Sequence, residues 1–312
     1  MTTNEDAFLL IGLGEILWDL MPSGKQLGGA PANFAYHAHA LGGEGVVVSC
    51  IGDDELGKEL LEKLDDLGLN RGHVVVDEDH PTGTVSVEVD EAGKPSYIIH
   101  ENVAWDFIPT LPQWMKLAMK ADAVCFGSLA QRSEVSRRTI QSFLRATRPS
   151  CLRVFDVNLR QFFYSREVIE TSLQLANIFK INDDELPVVA DMLAFAGDEA
   201  AILGALAKRY SLRMIALSRG DKGSLLFSEG RTSNHNGYPV VVADTVGAGD
   251  AFTAALALGM LRGCDLDRIN DHANRVASFV CSQAGATPEL PEPLAKLSSD
   301  EIAPALRASQ RQ

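Results

Sequence analysis

Nine residues toward the C-terminal end could do chemistry together: Asp244-Thr245-Val246-Gly247-Ala248-Gly249-Asp250-Ala251-Phe252. A strand predicted over Pro239–Ala243 leads into Gly247, Ala248 and Gly249, and a helix predicted over Ala251–Leu261 follows at once. Such a turn aims successive backbone N–H groups and the positive end of a helix dipole at one point, an anion hole made of backbone. Asp250, in the first turn, is placed to accept the proton of an attacking hydroxyl while the hole holds a transferring phosphoryl group. Helix capping would account for an aspartate but not for the flanking glycines, so the chemical reading is favoured.

Four further groups of residues stand at element boundaries. Gly28-Gly29-Ala30-Pro31-Ala32-Asn33-Phe34-Ala35 allows close backbone approach to a polyol, with an amide from Asn33 in the first turn of a helix; the plainer alternative is a Gly-Pro turn. Phe155-Asp156-Val157-Asn158-Leu159-Arg160 puts a guanidinium after a strand, where α/β sheets usually deliver ligand groups, or else a structural ion pair. Lys180-Ile181-Asn182-Asp183-Asp184-Glu185 ends a strand and begins a helix; on spacing alone Asn182 and Glu185 are a helix cap and its box partner. Ser218-Arg219-Gly220-Asp221-Lys222-Gly223 is a strand-to-turn segment.

Two better-known phosphate motifs are rejected. Gly52-Asp53-Asp54-Glu55-Leu56-Gly57-Lys58-Glu59 lacks the hydroxyl of a P-loop and crowds the loop with acidic residues. Gly12-Leu13-Gly14 has Leu17 where a dinucleotide fingerprint needs its third glycine.

The elements that must position these residues alternate. Apolar strand candidates are Phe8–Leu13, Val46–Ile51, Ala123–Phe126, Leu152–Val157, Ile178–Ile181, Met214–Leu217 and Val240–Ala243. Helix candidates between them include Pro31–Leu41, Leu56–Leu67, Val135–Ala146 and Ala200–Tyr210. The alternation predicts an α/β fold with a mainly parallel, doubly wound sheet. Thr84–Val89 and Ser96–His100, joined by the turn-rich 90–95, read as a hairpin that could form a small sheet with Glu15–Leu20 or lie at the edge of the main one. The expectation is a single domain over 1–312 with a discontinuous β-lid from about 14–22 and 83–101.

The 312 residues are 46% hydrophobic and carry a formal charge of −14, which disfavours broad contact with nucleic acid or anionic membrane yet leaves a small bound anion open. Five widely spaced cysteines, without a CxxC pair, read as reduced thiols. His37 and His39 are two apart and cannot share a helix face, so zinc is not expected. No signal peptide or membrane span is recognised, and cytoplasmic residence is expected.

The segment DTVGAGDAF resembles the C-terminal signature of the ribokinase-like, PfkB-type carbohydrate kinases, and residues 28–35 are similar to their N-terminal signature. Matching features extend from about Leu9 to Ala286. The resemblance implies a Rossmann-like core with a small β-lid and ATP-dependent phosphorylation of a sugar or nucleoside hydroxyl. It implies Asp250 as base, Gly247, Ala248 and Gly249 as anion hole, and Asp19, Gly28, Gly29, Asn33 and Arg160 as sugar-binding residues. Asn182, Ser218, Gly220, Gly223, Gly247, Gly249 and Asn274 would face the nucleotide. Glu185 and Asn182 would hold Mg2+ through water, and Asp244 is the candidate for K+. By the same resemblance two copies would pair through the lid. The stretches Phe155–Arg160, Phe126–Ala130 and Ala104-Trp105-Asp106 are similar to the fructokinase and 2-keto-3-deoxygluconate kinase branch. Fructose is therefore the expected acceptor, with 2-keto-3-deoxygluconate, ribose and nucleosides as alternatives. A non-catalytic sugar sensor would not need both an anion hole and a base, and an NAD-dependent oxidoreductase would need the missing glycine fingerprint.

Overall fold

Short apolar strands separated by amphipathic helices favour a parallel sheet covered on both faces. The computed structural model, which describes residues 7–21, 24–89 and 95–295, has this architecture. Among the described residues its main sheet has nine strands, in the order Arg231–His235, Ser224–Ser228, Met214–Ser218, Ile178–Asn182, Leu152–Asp156, Ala123–Phe126, Leu9–Leu13, Glu44–Gly52 and Val74–Asp77. Neighbours are parallel from Val74–Asp77 across to Met214–Ser218, and the last two strands are antiparallel.

Successive side chains of a strand point to opposite faces, and here both faces are buried. Phe155, Phe179, Ile181 and Leu217 enter one core with Ile140, Phe143, Ile169 and Val189. Val154, Ile178, Met214 and Ala216 enter a second with Phe34, Ala254, Leu258 and Val276. That second core is built by helices Ala30–Ala40, Ala248–Leu261 and Leu266–Cys281. The helix Ala248–Leu261 is buried from Ala251 through Gly259 because it is apolar almost all round and lies between the other two. Each fully buried Phe or Leu here contributes about 1.5–3 kcal/mol.

The chain builds outward from Leu9–Leu13 through Glu44–Gly52 to Val74–Asp77, then returns to the other side of Leu9–Leu13 at Ala123–Phe126. This reversal opens a crevice at the carboxyl ends of the strands, the place where open α/β sheets bind ligands.

A second sheet runs Gly24–Gly28, Leu17–Met21, Thr84–Val89, Pro95–Ile99. Its outer pairs are antiparallel and its central pair is parallel. The strand expected at Glu15–Leu20 begins two residues later, and Gly24–Gly28, too short and polar to read as a strand, completes the sheet. The link expected at 90–95 lies outside the described residues except for Pro95, which is already in its strand.

The strand expected at Pro239–Ala243, and with it Val240–Ala243, does not form. Its valines face solvent, Val241 with 90% of its surface exposed. The sheet ends at Arg231–His235, and the segment crosses instead to the end of helix Leu266–Cys281, where Ala243 and Asp244 donate N–H to the Cys281 carbonyl. A β-branched run that its flanking contacts hold away from the sheet stays irregular. Among the described residues no helix is long and apolar enough to cross a membrane.

Candidate active site

The packing of helix Ala30–Ala40 against helix Ala248–Leu261 brings the two ends of the chain together. Asn33 donates from Nδ2 to Oδ2 of Asp250 at 2.9 Å. Asp250 lies at the floor of the crevice, and burial pushes its carboxyl up to about 6, with Asp156 adding to the rise and Asn33, Lys180 and Arg160 opposing it. A carboxylate so poised can take a proton near neutral pH.

The turn ahead of it is fixed by sterics. Gly247 has φ 79°, and a Cβ there would lie 2.5 Å from the Ala286 carbonyl oxygen. Helix Ala248–Leu261 starts directly after; Ala248 donates its N–H to the Thr245 carbonyl at 3.4 Å, while the N–H groups of Gly249 and Asp250 belong to the first turn, which has no preceding helical carbonyls. Asp244 accepts N–H from Val246 at 3.0 Å and from Gly285 at 3.1 Å, so both of its oxygens fasten the turn.

On the N-terminal side, Asp19 sits in the second strand of the small sheet, opposite Gln26. A Cβ on Gly28 would lie 2.3 Å from Asp19 Oδ2, and one on Gly29, at φ 104°, 2.5 Å from the Glu15 carbonyl oxygen. The two glycines therefore make room for a carboxylate and for a backbone turn. Burial pushes Asp19 up to about 6, with Arg160 opposing.

Arg160 is exposed, and its positive charge opposes the burial that raises Glu15, Asp19 and Asp250. Its loop is held in place: Asn158 and Gln161 have φ of 41° and 49°. Leu159 donates N–H to Glu185 Oε1 at 2.8 Å, and Gln161 donates from Nε2 to the Tyr97 carbonyl of the small sheet at 2.6 Å. Left-handed backbone at non-glycine residues costs about 1–3 kcal/mol and persists where surroundings enforce it.

The next strand end carries Asn182 and Glu185, which cap each other. Asn182 Oδ1 accepts from Glu185 N–H at 2.8 Å, and Glu185 Oε2 accepts from Asn182 N–H at 3.0 Å. The cap-and-box geometry is thus present, and it holds both residues at the crevice rim. Among the described residues no three His, Cys, Asp or Glu side chains cluster to cage a metal. A hard cation here would take most of its ligands from water and phosphate oxygens, as magnesium does with one or two protein groups, and the oxygen donors fit that use.

Ser218 ends the neighbouring strand, and Gly220 and Gly223 shape the turn after it with φ of 57° and 81°. A Cβ on Gly223 would lie 2.1 Å from the His235 carbonyl oxygen, so glycine is needed for the turn to meet residues 235–237. Asn274 differs from expectation. It was expected to face the nucleotide, but it is buried, and its Nδ2 reaches Ser224 Oγ at 2.7 Å and the Asn270 carbonyl at 2.8 Å. Its amide nitrogen joins helix Leu266–Cys281 to the sheet instead of facing the crevice.

Two charged residues were not singled out by sequence. Glu15 is buried just after the first strand, and burial pushes its carboxyl up to about 7. Lys180 is buried in the strand Ile178–Asn182, 3.2 Å from Asp156 Oδ1. A lysine inside an apolar strand is itself a signal, since lysines are almost never fully buried unless paired.

A glycine-bordered helix start, the Asp250 carboxylate and the Gly28-Gly29 turn beside Asp19 meet where Asn33 bonds Asp250. The family model described as pfkB family carbohydrate kinase matches residues 23–293. This chain is a pfkB family carbohydrate kinase. The kinase is 31% identical over 299 residues to a protein of Pyrococcus horikoshii named as a sugar kinase, covering 89% of this chain and 91% of that one. It is 30% identical over 299 residues to the fructokinase of Escherichia coli, covering 89% and 95% respectively. The crystal structure of the Pyrococcus protein in complex with ATP matches the kinase with a TM-score of 0.80 at 28% identity, covering 95% of this chain and 100% of that one.

Proposed function

We propose that this carbohydrate kinase transfers the γ-phosphoryl group of ATP to O6 of fructose, with Asp250 as the base. The 2.9 Å bond from Asn33 to Asp250 carries the reading, because it puts a sugar-side amide and a phosphate-side carboxylate at one point. The fructokinase relative, matched over nearly its whole length, supports the choice of acceptor.

Asp19, Gly28, Gly29, Asn33 and Arg160 hold the sugar with O6 toward Asp250. Asp250 takes the O6 proton, the O6–Pγ bond forms, and the bond from Pγ to the β,γ-bridging oxygen breaks, its electron pair leaving with ADP. The N–H groups of Gly249 and Asp250 meet the charge on the transferring group, with the Ala248 N–H joining them when it leaves the long bond to the Thr245 carbonyl. Ser218, Gly220 and Gly223 border the nucleotide side. Magnesium, when bound, neutralises phosphate charge, and Asn182 and Glu185 are the residues that would hold it through water.

The test is a coupled ADP-release assay with purified protein against fructose, 2-keto-3-deoxygluconate, ribose, mannose and adenosine, with the phosphorylated position mapped. Fructose 6-phosphate as the preferred product supports the reading; preferential turnover of another acceptor overturns the choice of fructose.

A further inference from the structure

Lys180 and Asp156 are direct cross-strand neighbours in the parallel pair Ile178–Asn182 and Leu152–Asp156. Strand alternation turns both toward the face covered by helix Ala248–Leu261, the side that Ile178 and Val154 enter. The Lys180 ammonium stands 3.2 Å from Asp156 Oδ1 and 3.2 Å from where a Cβ on Gly249 would be. Thr253 Oγ1 lies 3.0 Å from Asp156 Oδ2 and 2.8 Å from the Gly249 carbonyl, so its single proton serves two acceptors one turn beyond the anion hole. Burying an ion pair costs several kcal/mol of desolvation per ion and is seldom retained for stability alone.

We propose that Lys180 is a positioning residue for phosphoryl transfer: paired with Asp156 beneath the Gly249–Asp250 turn, it supplies a fixed positive charge behind the backbone donors. It acts through the turn and through Asp250, since it is sealed under the helix start. Its charge is met by the Asp156 carboxylate, 3.2 Å from the ammonium. The groups that face Asp250 are Asn33 from its helix, Asp156 and Lys180 from the sheet, and Glu15 and Arg160 from the loops after their strands. Of these, Lys180 favours the ionised carboxylate and Asp156 disfavours it. Gly249 has a second use in this arrangement, leaving space for the ammonium as well as baring its N–H.

The inference rests on Asp250 as base, and the test separates the two. kcat, KM and the pH dependence of kcat are measured with MgATP and whichever sugar of the panel above the wild-type enzyme turns over. Lys180→Met is expected to lower kcat ~100-fold, as loss of one preorganised donor does, with sugar KM little changed and the acid limb moved to higher pH. Asp156→Asn is expected to move the acid limb to lower pH. The double variant K180M/D156N removes both buried charges and so protects the fold, and its kcat stays low. Recovery of wild-type kcat in the folded double variant, or an acid limb that moves in neither single variant, overturns the proposal. Full turnover by Asp250→Asn in the same assay would instead remove the base assignment beneath it.

Discussion

Asn33 Nδ2 and Asp250 Oδ2 lie 2.9 Å apart across 217 positions of sequence. The bond ties the first turn of one helix to the first turn of another, so the spacing between the Gly28–Asn33 segment and the Gly247–Asp250 turn is set by helix packing rather than by a loop. It also occupies one carboxylate oxygen and leaves the other for a hydroxyl.

Asn33→Ala removes a hydrogen bond to a charged group, worth about 1.5–3 kcal/mol. kcat/KM for the sugar should fall roughly 10- to 100-fold, and the acid limb of the pH profile should move upward, because the Asn33 bond lowers the Asp250 carboxyl. Steady-state kinetics across pH check both; an unchanged profile would mean that the bond does not act on the base.

Burial holds Asp250 at about 6 against 3.8 for an ordinary aspartate. The base must be ionised, so turnover should be full above that value and fall as pH drops through about 6. The acid limb of kcat/KM reads this in the free enzyme. A limb near the ordinary aspartate value would contradict the environment described for Asp250.

Gly28→Ala puts a methyl carbon 2.3 Å from Asp19 Oδ2 and should displace that carboxylate, raising sugar KM while leaving ATP affinity near wild type. Gly29→Ala meets the Glu15 backbone at φ 104° and should cost about 1–3 kcal/mol of stability from strain at that conformation alone. Kinetics for the first and denaturant melts for the second separate an effect on Asp19 from an effect on the backbone turn.

Much of the site was legible because its residues follow strands or open helices. The Gly247–Asp250 turn and Gly28–Asn33 declare themselves through glycines beside polar groups at a helix start. What stayed hidden depends on register and packing. Lys180 and Asp156 are neighbours because two strands pair in register, which neither segment specifies alone. Val240–Ala243 misled because apolar, β-branched composition describes a strand without saying whether an edge awaits it. Asn274 could not be told from a surface asparagine until helix Leu266–Cys281 was laid against Ser224.

His37 offers a stability test away from the reaction. Its buried ring donates from Nε2 to the Ala286 carbonyl at 2.9 Å, the same backbone that braces Gly247. Burial pushes it down to about 4, below the ordinary 6.5. The unfolded chain therefore binds the proton first as pH falls, and stability present above about 6.5 is lost progressively toward about 4, by roughly 3 kcal/mol in all. Urea unfolding of wild type and His37→Gln across that range should show the steeper loss in wild type; equal slopes would place the histidine outside this linkage.

Turnover of Asp250→Asn in a purified-protein assay, with binding measured alongside, decides whether Asp250 is the base. With Asp250 as base, ATP and sugar binding are retained and turnover falls about 10²–10⁴-fold, the contribution of a positioned general base. Near-normal turnover in the folded variant would contradict it.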